Sequence, residues 1–94
     1  MMTNLATRVT VPERVLFRDL AGEAVLLDLE SGLYFGLNET GTRMWSLLLH
    51  HHSLGPALCS LLEEYEAPRE RLQAEFLEFV ETLASRKLLE IHED

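Results

Sequence analysis

Three adjacent histidines, one cysteine and a short acidic run are the residues of this chain whose types invite chemistry. His50, His51 and His52 suggest metal binding, but their spacing argues against a centre. Neighbouring residues at a helix end diverge, helical ligand pairs stand three or four apart, and no carboxylate cluster nearby completes a set. As cations at a helix C-terminus they favour the dipole instead. His92, in the C-terminal tail, reads as solvated. Cys59 has no basic neighbour in sequence to lower its pKa, so it reads as a small core residue of an apolar helix. A lone cysteine also excludes an intrachain disulfide and a multi-thiolate zinc site. Glu63, Glu64 and Glu66 read as solvated surface. The chain holds no phosphate-cradling glycine loop, no His-Glu-x-x-His and no Gly-x-Ser-x-Gly, and no nucleophile, base and oxyanion set can be assembled from it. The expectation is a protein with no catalytic residues, no metal and no cofactor, whose work is binding.

The elements that would support binding change period near the middle of the chain. From Val9 to Leu37 short β-favouring apolar runs alternate with turn residues: Val15 to Phe17, then Ala21 and Gly22, then Ala24 to Leu29, then Glu30, Ser31 and Gly32, then Leu33 to Leu37. This pattern predicts three strands and two hairpins, with Gly32 taking the left-handed position of a three-residue loop. In the middle strand Val25, Leu27 and Leu29 share one face and Ala24, Leu26 and Asp28 the other, so both faces are largely apolar and each calls for a cover. In the third strand Leu33, Phe35 and Leu37 share a face, with Tyr34 and Gly36 opposite; the glycine lets another backbone come close.

Asn38 is a good N-cap, with Glu39 complementing the dipole of a helix that runs to about Leu49. Gly41, a poor helix former, belongs where strand and helix approach closely. Pro56 fits the first turn of a second helix ending near Tyr65, and a third runs from about Pro68 to Arg86 before an apolar tail of Leu88, Leu89 and Ile91. At 100° per residue, Phe76, Phe79 and Leu83 of the third helix lie within about 40° of Leu72. Val80, Ala84 and Leu77 widen that stripe to about 140°, more than the roughly 100° that one core contact needs. Either the sheet or tail covers this shoulder, or it receives a second partner.

The 94 residues suit one domain spanning 1–94, and 47% apolar with 26% charged residues is a globular composition. No apolar run reaches the roughly 18 residues of a membrane span, and residues 1–10 lack the basic start and apolar stretch of a signal peptide, so a cytoplasmic location is expected. Eight basic residues against sixteen acidic ones give a net charge of −8. The C-terminal half carries most of the acid. No concentrated basic surface is available for phosphates, which weighs against nucleic acid as a partner. A free sheet edge, by contrast, can accept an extended peptide as a further strand.

The stretch GEAVLLDLESGLYFGLNETGTRMWSLL, residues 22–48, closely resembles the PqqD-like family of peptide-recognition domains, the RiPP recognition elements. The family's positions are occupied by Asp28, Gly32, Tyr34, Phe35, Leu37, Asn38, Gly41 and Trp45, and more loosely by Leu58, Leu61, Tyr65 and Leu88 to Glu90. The aromatic pair after the Gly turn looks more like the stand-alone members found with lasso-type and other modified peptides. The resemblance implies an α+β, winged-helix-like fold, with a three-stranded antiparallel sheet followed by three helices. It also implies a non-catalytic adaptor that holds the leader segment of a ribosomally made precursor. Such an adaptor presents the leader to a modifying enzyme such as a radical enzyme, a cyclase or a leader protease. By element, the resemblance assigns the docking edge to Leu33, Tyr34, Phe35, Gly36 and Leu37, and the side-chain pocket to Phe76, Leu77, Val80 and Ala84 of the third helix. The same element order also permits a winged-helix DNA-binding regulator, or a module whose edge strand pairs with its twin, so monomer and homodimer both stay open.

Overall fold

A computed structural model of the chain describes residues 7–92. Most of the N-terminal stretch read above against a signal peptide therefore lies outside the described residues. The chain forms β1 (Arg8–Thr10), β2 (Val15–Leu20), β3 (Glu23–Asp28), β4 (Tyr34–Gly36), α1 (Glu39–His51), α2 (Leu54–Glu64), α3 (Arg69–Ser85) and β5 (Glu90–His92). The three expected strands are β2, β3 and β4, an antiparallel sheet in that order, and the three expected helices follow it. A second, two-stranded ribbon pairs β1 with β5 and was not foreseen.

Turn chemistry sets the sheet. Ala21 and Gly22 both take positive φ, 58° and 91°, as a two-residue primed hairpin turn requires. The Asp19 side chain fixes this turn by accepting from the Gly22 N–H at 2.8 Å. The second hairpin is one residue longer than expected. Asp28 N–H donates to the Leu33 carbonyl and Gly32 N–H to the Asp28 carbonyl, so Leu29 belongs to the loop and not to β3. Gly32 does take positive φ, 75°. The Asp28 carboxylate accepts from the Glu30 N–H at 2.9 Å and pairs with Arg14 Nε at 3.3 Å. Arg14 also donates to the Lys87 carbonyl at 2.5 Å, pinning the sheet to the turn after α3.

Asn38 caps α1 as expected, accepting from the Gly41 N–H at 2.8 Å. The helix continues past Leu49 to His51 and closes on His52 in the left-handed region, φ 55°. His50 and His51 thus occupy the last turn, and His51 Nε2 lies 3.0 Å from Ser60 Oγ of α2. α2 and α3 begin and end within two residues of their predicted bounds. Two side-chain readings need correction. Cys59 is exposed, because Leu54, Ala57, Leu58 and Leu61 form the buried stripe of α2 and Cys59 falls outside it. His92 is not merely solvated: its Nε2 lies 2.7 Å from Thr10 Oγ1 across the β1–β5 ribbon.

The core lies between the inner sheet face and the helices, centred on Trp45, Phe76, Leu26, Leu48, Leu58 and Leu61. Phe17 meets Trp45 edge-on, ring centroids 5.7 Å apart, which seats the sheet on α1. The tail residues Leu88 and Leu89 are buried in the same core, and Ile91 leads into the ribbon with β1. No helix among the described residues is long and apolar enough to cross a membrane.

Candidate functional site

β4 is an edge strand: among the described residues it pairs with β3 alone. The register matches Val25 with Gly36, Leu26 with Phe35 and Leu27 with Tyr34. At either end of that ladder Leu37 N–H donates to the Ala24 carbonyl, at 2.8 Å, and Asp28 N–H to the Leu33 carbonyl, at 3.1 Å. Residues alternate along an antiparallel ladder between bonding inward and facing outward. Leu33, Phe35 and Leu37 therefore bond to β3, while the N–H and C=O groups of Tyr34 and Gly36 face the open side. A methyl group placed on Gly36 would meet nothing within 4 Å, so the space beside that backbone is free. The sheet's opposite edge, β2, is also unpaired among the described residues. There the outward N–H of Val15 is already donated to the Pro12 carbonyl at 3.0 Å.

Thr42, buried in the first turn of α1, holds β4 in place. Its hydroxyl accepts from the Ala24 N–H at 2.7 Å and donates to the Leu37 carbonyl at 3.4 Å, so one side chain ties β3, the end of β4 and α1 together. Gly41 beside it is a point of close packing, as predicted: an added Cβ would stand 3.2 Å from the Asn38 side-chain oxygen, 3.4 Å from Phe79 and 3.6 Å from the Leu37 Cβ. The glycine thus lets α3, through Phe79, close onto the strand–helix junction.

Arg86, at the end of α3, and Phe79 mark the flank of that helix nearest β4. Arg86 lies over the Phe35 ring, 5.0 Å from its centroid. Phe79 is seven residues earlier, two turns back and within about 20° in azimuth, so Phe79 and Arg86 form one stripe. Glu75, Glu78, Phe79 and Thr82 line a groove of about 340 Å³ along this side of the helix. Phe76 and Val80 are fully buried and belong to the chain's own core. Ala84 lines a different groove, with Arg14, Leu89 and Ile91 beside the tail, and Leu77 is half-buried on that same far flank. Of the Leu77, Val80 and Ala84 shoulder, Val80 is thus in the interior and Ala84 beside the tail. Arg86 stands against β4 through Phe35, and Phe79 packs at the strand–helix junction beside Gly41.

On the strand, Leu37 is buried and Phe35 half-buried, whereas Tyr34 is 73% exposed and Leu33 70% exposed. Leu33 precedes the regular strand and stays exposed. Among the described residues no three His, Cys, Asp or Glu side chains come together as a metal-binding group. Charge near the site is fixed by local pairing. Asp28 is held below the usual carboxylate range chiefly by the Glu30 N–H, against the opposing effect of burial.

Residues 23–89 match the family described as coenzyme PQQ synthesis protein D (PqqD). Among solved structures the chain is similar to TbiB1 in complex with the TbiA(beta) leader peptide. That match has 32% identity and a TM-score of 0.81 over 89% of this chain and 98% of the other. It is also similar to a lasso peptide synthetase B1 complexed with its leader peptide, at 25% identity and a TM-score of 0.79 over 88% and 98% of the two chains. No functionally curated protein matches it. With a free strand edge, a flanking helix groove and a family match over most of its length, the chain belongs to the PqqD family.

Proposed function

We propose that this protein is a non-catalytic adaptor that binds the leader segment of a ribosomally made precursor peptide and presents it to a modifying enzyme or leader protease. The leader adds as an antiparallel strand on β4. The observation that carries this reading is the pair of outward-facing backbone groups at Tyr34 and Gly36, on an open edge where Arg86 covers the Phe35 ring and Phe79 packs at the adjoining strand–helix junction. Main-chain bonds supply register and affinity, while Leu33, Tyr34, Phe35 and the α3 flank select side chains. The two similar solved structures, both held with leader peptides, support the same assignment. Nothing observed favours the DNA-binding alternative, and a net charge of −8 opposes it.

Calorimetric titration with the precursor leader encoded beside this chain tests the proposal. Binding at micromolar affinity or tighter is expected, and no heat at high peptide concentration refutes it. Gly36→Pro removes one outward donor without touching a bond to β3, and should weaken binding at least tenfold while the melting curve stays cooperative. Unchanged affinity in that folded variant moves the site off β4.

A further inference from the structure

The outer face of the β2–β3–β4 sheet remains bare. Cross-strand register lines up Leu16, Leu27 and Tyr34 in one row and Arg18, Val25 and Gly36 in the next, with Leu20 beyond them. Leu16, Arg18, Leu20, Val25, Leu27 and Tyr34 border a shallow groove of about 740 Å³. Leu16 and Leu20 are half-exposed or more. The sequence predicted a cover for both faces of β3, and none of the described residues supplies one here. In the middle of this apolar surface stands Arg18, exposed and without an ion pair or hydrogen bond to the described residues.

We infer that this face is the docking surface for the enzyme that acts on the bound peptide, an inference that rests on leader binding at β4. The occupant is a protein surface that offers an apolar ridge with a carboxylate opposite Arg18. Three features select it. Tyr34 belongs both to this face and to the β4 edge, so a leader strand extends the same surface and sends alternate side chains onto it. The enzyme thus meets adaptor and leader as one platform. Arg18 is a cation in a chain of net charge −8, and an apolar patch centred on an unpaired cation is complementary to an acidic spot on a partner. A second copy fits poorly. Face-to-face pairing about a two-fold axis would set Arg18 near its twin, between two molecules of like net charge.

Leu16→Glu and Arg18→Glu test this on β2, two strands away from the leader edge. The probe is the purified modifying enzyme or leader protease encoded beside this chain, titrated against the adaptor with and without the leader. Wild-type association should tighten when leader is present, and each variant should weaken it at least tenfold while its leader affinity stays within twofold. Wild-type enzyme affinity in both folded variants overturns the inference. So does a parallel loss of leader affinity, which makes the face part of the peptide site. A shift from dimer to monomer in sedimentation on introducing Leu16→Glu also overturns it, in favour of a second copy. Absence of leader binding by the wild-type chain is a separate result, and refutes the leader reading itself.

Discussion

Single atoms set the geometry of the β4 edge. The Thr42 hydroxyl satisfies the buried Ala24 N–H, and Thr42→Val deletes that acceptor while keeping the volume. A stranded buried donor costs about 1–3 kcal/mol, so chemical denaturation should show a loss of that size. No loss would mean that Ala24 finds another partner. Ala21 presents the opposite case. It carries a Cβ in the left-handed region at φ 58°, where a non-glycine residue is strained. Ala21→Asn, followed by the existing Gly22, should stabilise the fold by about 1 kcal/mol, read as a higher denaturation midpoint. Asn38 and Gly32 were legible in the sequence because a cap and a left-handed turn are decided within a few residues. Thr42 was not, because its partners Ala24 and Leu37 come from other elements. Cys59 was misread for a related reason: α2 packs through Leu58 and Leu61, and composition alone does not say how wide that stripe is.

Acid sensitivity also belongs to individual residues. Asp28 is held below its ordinary value of 3.8 chiefly by the Glu30 N–H, and Glu64 below 4.5 chiefly by hydrogen bonds from Arg43 at 2.5 and 2.6 Å. A carboxyl group depressed in the folded state stabilises the fold above its unfolded pKa, and that contribution fades as pH falls through the lower folded value. Stability should therefore hold from neutrality to about pH 4.5 and fall below it. The Arg43–Glu64 pair is partly exposed and adds less than about 1 kcal/mol. Thermal melts from pH 3 to pH 7 should show a shallower acid slope for Asp28→Asn than for wild type. Equal slopes would remove Asp28 from the account.

Among the elements, the helices and the three main strands were readable because their periods are local. The β1–β5 ribbon was not: two three-residue strands at opposite ends of the sequence leave no period, and only the burial of Val9, Leu88 and Leu89 makes their pairing sensible. The helical wheel of α3 gave the width of its apolar stripe correctly, yet it could not show which flank would abut β4. That choice is made by Gly41, which admits Phe79, and by Arg86 over Phe35. A direct comparison follows from it. Phe79→Ala should weaken leader binding about tenfold or more, whereas Leu77→Ala, on the opposite flank, should leave it within twofold. The reverse order in calorimetry would make the Leu77, Val80 and Ala84 shoulder the pocket.

At the scale of the whole molecule, the tail is spent on β1 and the core, so the β4 edge stays open among the described residues. An open edge invites indiscriminate pairing, and this chain limits it by keeping β4 to three residues and by carrying a net charge of −8. The sequence supported the idea of a receiving edge, through its strand pattern and its family resemblance. It could not reveal that the sheet has two unpaired edges, because strand order in space is a tertiary fact.

Amide hydrogen exchange with and without the precursor leader separates those two edges. Leader binding should slow exchange at Tyr34 and Gly36 and leave the outward amides of Phe17 and Asp19 on β2 unchanged. Slowing at Phe17 and Asp19 with none at Tyr34 and Gly36 would contradict strand addition on β4.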